Sequence, residues 1–137
     1  MKRFLLDTNV ISELRKAKPH GAAVAWIRSL RPIQVFVSTA SIGELQRGAG
    51  ITKRQDPQKA AELESWIDTV VDQVQLLMMD EACFREWARI MQHKTGDLAI
   101  DGMIAATARV HELIVATRNE SDFKQFGVEI VNPFITK

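Results

Sequence analysis

The sequence predicts an α/β sandwich in three layers, a central and mostly parallel twisted sheet flanked by helices. Three observations carry that expectation. Phe4-Leu5-Leu6 and Leu113 to Ala116 are short continuous apolar runs, the pattern of strands buried on both faces. Ile33 to Val37 and Val128 to Val131 are short segments rich in β-branched residues. The stretches between them carry apolar residues at helical spacing, and strands separated by helices form parallel sheets.

Taken in order, the first strand breaks into Asp7-Thr8-Asn9, and Asn9 to Leu14 reads as a short helix. A basic turn follows, Arg15-Lys16-Ala17-Lys18-Pro19. Ala22 to Leu30 is an amphipathic helix around Trp26 and Ile27, ended by Arg31-Pro32. The strand Ile33 to Val37 runs into Ser38-Thr39. Ser41-Ile42-Gly43-Glu44 then has the capping-box pattern that opens a helix. Asp56-Pro57 supplies an N-cap and an N1 proline for a long helix, with the stripe Leu63, Trp66, Ile67, Val70, Val71 and Val74. Val74 to Met78 contains a short strand. Asp80 caps a helix bearing Phe84, Trp87, Ile90 and Met91, and another runs from about Asp97 to His111. The last two strands end in Thr117-Arg118-Asn119 and Asn132-Pro133.

At 137 residues the chain reads as one domain spanning 1–137, able to bury a core without staples. A net charge of +1, from 18 basic and 17 acidic residues, leaves any nucleic-acid contact to local clusters of basic groups. Cys83 is the single cysteine, which excludes an internal disulfide and fits a reducing compartment. The apolar run after Lys2 and Arg3 is too short for a signal peptide, and no stretch approaches a membrane span. The expectation is a cytoplasmic protein. Walker A, GxGxxG, HExxH, CxxC and GxSxG motifs are missing, and His20, His93 and His111 fall in unrelated segments.

The informative residues are acids. In parallel sheets the ligand crevice lies outside the carboxyl ends of the strands, so Asp7 belongs at its rim. Residues 101, 104, 105 and 108 share one helical face, which puts the Asp101 carboxylate on a stripe with Ile104, Ala105 and Ala108. A carboxylate packed toward a sheet must be protonated, paired or bound to a metal. Its bland role, steadying the helix dipole, is already filled by Asp97. Glu44 closes the capping box, which accounts for it structurally, yet it also follows the second strand on the crevice side. Asp122, in Asn119-Glu120-Ser121-Asp122-Phe123, is either a helix cap or a fourth acid. Carboxylates gathered at one crevice repel one another unless a cation joins them, and hard Mg²⁺ or Mn²⁺ ions suit oxygen ligands. The implied chemistry is metal-assisted phosphoryl hydrolysis.

Four segments together resemble the PIN-domain ribonucleases, and among them the VapC-type toxins of type II toxin–antitoxin systems. They are Leu5 to Leu14 (LLDTNVISEL), Ser41 to Leu45 (SIGEL), Asp101 to Ala108 (DGMIAATA) and Ala116 to Phe123 (ATRNESDF). The likeness runs from Phe4 to Asn132-Pro133. It implies an acidic metal site of Asp7, Glu44, Asp101 and Asp122, with Asp7 and Asp101 as the most direct ligands of Mg²⁺ or Mn²⁺. It further implies that Thr8, Asn9, Thr117 and Asn119 support the carboxylates or hold water and phosphate. Asn119 competes with Asp122 for the fourth place. Relatives of this kind are homodimers that cut structured RNA such as tRNA to arrest translation, and a DNA-binding VapB-like antitoxin inhibits them. Arg15, Lys16, Lys18 and Arg118 are the candidate phosphate contacts, a solvated loop being the alternative for the basic turn.

Two other readings compete. An aspartyl-nucleophile phosphatase would use Asp7 for attack, but it wants a second Asp two residues on, where this chain has Asn9. A catalytically silent PIN-like binding module would tend to lose acids from the site, and all four are present.

Overall fold

In the computed structural model, which describes residues 1–135, five strands form one sheet in the order β3-β2-β1-β4-β5. They are β1 (Phe4–Leu6), β2 (Val35–Ser38), β3 (Gln75–Leu77), β4 (Ile114–Ala116) and β5 (Ile130–Val131). Every pairing is parallel, with Phe4 opposite both Val35 and Ile114, and Leu6 opposite Ala116. All strand C-termini therefore open on one edge.

Alternation along the strands feeds two cores. Leu5 and Val115 point to the face covered by Ile104, Ala105, Ala108, Phe123 and Phe126. Leu6 and Ala116 point to the opposite face, under Val10, Ile11, Trp26 and Trp66. The chain is a three-layer α/β sandwich, as its sequence predicts. No helix among the described residues is long and apolar enough to cross a membrane.

The helices are α1 (Thr8–Arg15), α2 (Gly21–Arg28), α3 (Thr39–Lys53), α4 (Pro57–Gln73), α5 (Glu81–Ile90), α6 (Ala99–His111) and α7 (Glu120–Lys124). Asp56 and Asp80 cap α4 and α5 as expected, accepting from the Lys59 and Cys83 amides at 3.0 Å. The second strand starts at Val35 rather than Ile33, because Pro32–Gln34 forms a 3₁₀ turn.

Three cap expectations need correction. The N-cap of α3 is Ser38, whose hydroxyl accepts from the Ala40 amide at 3.1 Å. Ser41 is instead buried inside the helix, so Glu44 belongs to no capping box. Asp97 lies in the 3₁₀ turn Gly96–Leu98, and Leu98 occupies the N-cap of α6 without a side-chain bond. Asp122 lies inside α7, whose N-cap is Asn119. With these local duties removed, Glu44 and Asp122 are left without a capping role.

Candidate active site

The chain steps outward from β1 in both directions, to β2 and β3 on one side and β4 and β5 on the other. The reversal falls between β1 and β4, and open parallel sheets bind ligands at such switch points. Asp7 follows β1 there, and Thr117 follows β4.

Asp7 is buried at 3% exposure, with both carboxylate oxygens engaged. Oδ1 accepts from the Thr8 amide at 2.7 Å, which caps α1. Oδ2 accepts from the Thr117 hydroxyl at 2.8 Å. That hydroxyl accepts in turn from the Asn119 amide at 2.9 Å, which fixes its proton toward Asp7. The Asn9 side-chain oxygen accepts from the Arg118 amide at 3.3 Å, tying the turn after β1 to the turn after β4. The Thr8 hydroxyl is buried, with no hydrogen-bond partner among the described residues.

The fold brings Glu44, Asp101 and Asp122 into electrostatic range of Asp7. Burial raises the Asp7 pKa above the usual range; the Thr117 and Thr8 bonds work against this, and the Glu44 and Asp122 charges add to it. Burial pushes Asp101 up to about 7, with repulsion from Asp7, Asp122 and Glu44 adding to the effect. The neighbouring residues on its stripe, Ile104, Ala105 and Ala108, are fully buried. Asn119 meets the site through its backbone amide, whereas Asp122 acts on both Asp7 and Asp101 through charge.

The charges that act most on Asp7 and Asp101 are those of other carboxylates. A buried carboxylate, Asp7, gathered with the half-buried Glu44, Asp101 and Asp122 at a switch point fits a cation from outside the chain. Among the described residues, no three His, Cys, Asp or Glu side chains already stand where they would hold one ion between them. The acids are gathered but not closed into a shell. Mg²⁺ suits such an open arrangement, since it keeps several waters and takes one or two carboxylates.

A PIN domain model matches residues 4–129. The chain belongs to the VapC-type PIN-domain family. VapC ribonuclease Y4jK of Sinorhizobium fredii is 38% identical across 96% of this chain and 97% of its own length. Toxin FitB of Neisseria gonorrhoeae is 34% identical across 96% of this chain and 98% of its own. The crystal structure of FitAcB from Neisseria gonorrhoeae superposes with a TM-score of 0.84, at 33% identity over 96% of this chain and 98% of that one.

The basic residues around this PIN site divide. Arg15 lies over the Trp66 ring at 5.9 Å and lines a cavity of about 230 Å³ shared with Thr8 and Glu44. Lys16 is bonded to Glu13 at 3.0 Å, and Lys18 is exposed. Arg118 also turns toward Glu13, at 3.5 Å. Sequence reasoning passed over Glu13, although its place three residues after the buried Val10 marked it as an acid on an apolar helical face.

Proposed function

We propose that this protein is a Mg²⁺- or Mn²⁺-dependent endoribonuclease, the toxin of a toxin–antitoxin pair, hydrolysing phosphodiester bonds of tRNA or other structured RNA. The observation that carries the proposal is the gathering of Asp7, Glu44, Asp101 and Asp122 at the sheet switch point, close enough for their charges to raise the pKa of Asp7 and of Asp101. Family membership and the toxin relatives support the same reading. A cognate DNA-binding antitoxin, a homodimeric state and a cytoplasmic location follow from it as further expectations.

Asp7 and Asp101 would hold the ion, with Glu44 and Asp122 completing the acidic wall. When bound, a divalent ion supplies charge stabilisation at a phosphodiester undergoing in-line displacement. The chain contributes orientation and proton handling. Thr117 and the Thr8 amide fix the plane of the Asp7 carboxylate through one bond to each oxygen. Glu44, on α3 and lining the cavity beside Thr8, would take a proton from the attacking water. Thr8, Asn9 and Asn119, in the turns after β1 and β4, would support the carboxylates or hold water and phosphate.

The competing phosphatase reading loses support from the same geometry. Both Asp7 oxygens accept hydrogen bonds that hold the carboxylate in one plane, an arrangement that suits a fixed ligand better than a group that must move in attack. The residue two positions on, Asn9, accepts from the Arg118 amide and cannot serve as general acid.

The test is direct. Protein freed of antitoxin is expected to cleave RNA from a panel that includes tRNAs when Mg²⁺ or Mn²⁺ is present. Cleavage should leave 5′-phosphate ends and vanish in Asp7→Asn. An uncut panel with both ions would overturn the proposal.

A further inference from the structure

Asp7 and Glu13 are the two most deeply buried charged side chains among the described residues, at 3% and 4% exposure. The mechanism above uses only the first. Glu13 sits on α1, one to two turns from Asp7. Its Oε1 accepts from Lys16 Nζ at 3.0 Å and faces Arg118 Nη2 at 3.5 Å; its Oε2 accepts from the His20 amide at 3.0 Å. One carboxylate thus stands against two cations, which leaves the group net positive.

Arg118 is fixed on several sides. Its guanidinium carbon lies 3.7 Å from the centre of the Phe134 ring, a close cation–π contact. The His20 ring packs edge-on to Phe134 at 5.4 Å, and the Phe134 amide donates to Asn132 at 3.0 Å. Its own backbone amide is held by Asn9, directly after the Thr117 that holds Asp7. Nevertheless its side chain is 48% exposed. A half-exposed ion pair returns little stability, whereas immobilising a long side chain has an entropic cost. A fixed but open guanidinium is a preformed receptor for an oxyanion, which its planar fork can bind with two hydrogen bonds.

Arg118 directly follows Thr117 at the end of β4, yet its guanidinium turns to Glu13 and Phe134 rather than to Asp7. It is therefore offered beside the acidic site and not within it. We propose that Glu13 is a positioning residue which, with Phe134, presents Arg118 to an RNA phosphate flanking the one that is cut. This rests on the ribonuclease reading and adds to it a fixed register for the substrate backbone. Phosphate contacts of this kind set position without reading sequence.

The experiment measures binding of a single-stranded RNA oligonucleotide by anisotropy across a salt series, alongside steady-state cleavage. Arg118→Ala should weaken binding and reduce the slope of log affinity against log salt by about 0.7, as expected for one lost single-strand phosphate contact. Glu13→Gln keeps an acceptor for the His20 amide but removes the charge facing Arg118; it should shift the salt slope in the same direction. The loss should fall on KM more than on kcat, and the Glu13→Gln/Arg118→Ala double variant should bind no worse than Arg118→Ala alone. Phe134→Leu tests the same guanidinium from its other anchor if Glu13→Gln folds poorly. Unchanged binding and salt slope in Arg118→Ala would overturn the proposal. So would additive losses in the double variant, which would make Glu13 a purely structural acid. Wild-type protein that binds RNA with the expected salt slopes but never cuts it would instead overturn the ribonuclease reading alone.

Discussion

Asp7 joins structure and site in a single side chain, because one oxygen caps α1 and the other receives Thr117 from across the switch point. Thr117 is completely buried and, among the described residues, is the only side-chain donor to that carboxylate. Thr117→Val keeps the shape and removes the donor, leaving Asp7 harder to ionise and free to rotate. Outer partners of metal-binding carboxylates typically matter by 10–100-fold, so RNA cleavage should fall by about that factor. Single-turnover rates at saturating Mg²⁺ would check it; an unchanged rate would remove Thr117 from the site. Asp7 was legible in the sequence because a buried strand ends in it. Glu44 was harder to read, since Ser41-x-x-Glu44 satisfies the capping pattern as well as Ser38 satisfies the cap. The choice between the two serines depends on where β2 stops pairing, and Ser38 still pairs opposite Leu77.

At the scale of elements, α6 carries Asp101 and packs closely on α5. A Cβ at Gly102 would lie 2.5 Å from Met91 Sδ and 3.3 Å from the Trp87 ring, so this glycine permits the close approach of the two helices. Gly102→Val should destabilise the protein by about 1–3 kcal/mol through overpacking, measured by urea unfolding. Because Asp101 precedes it, cleavage should fall as well, beyond what the unfolded fraction explains. The helical periodicity of Asp101, Ile104, Ala105 and Ala108 was readable in advance and places the acid on the inner face. The need for glycine at 102 was not, since it comes from side chains of α5. Short strands were also hard to bound: β5 covers only Ile130–Val131, because pairing with β4 limits it rather than its own composition.

At the scale of the whole molecule, the acids repel one another across the sheet edge, and this links stability to pH. The folded Asp101 pKa, about 7, stands above its ordinary value of 3.8, so the folded state holds its proton more tightly than the unfolded state does. Asp101 therefore favours folding below that lower value, and the contribution is lost as pH rises through the window up to about 7. The raised Asp7 pKa acts in the same sense. Metal-free protein should melt at a lower temperature at pH 7.5 than at pH 5.5, and Asp101→Asn should flatten the difference. Mg²⁺ or Mn²⁺ should raise the melting temperature more at the higher pH, where the carboxylates are free to bind it. An equal metal effect at both pH values would argue against a carboxylate site.

The sequence by itself determined the layers and named the acids proposed for the site. Burial on both faces, helical periodicity and polar strand ends are local patterns, written in neighbouring residues. Strand order was not local. The pairing of β1 with both β2 and β4 created the switch point, and residues more than a hundred positions apart, Asp7 and Thr117, met only there. The same holds for Glu13, whose carboxylate meets Arg118, more than a hundred positions away, only in the folded chain. Only tertiary structure could show which charges are left without a partner, because burial and compensation depend on what packs against a side chain from distant parts of the chain.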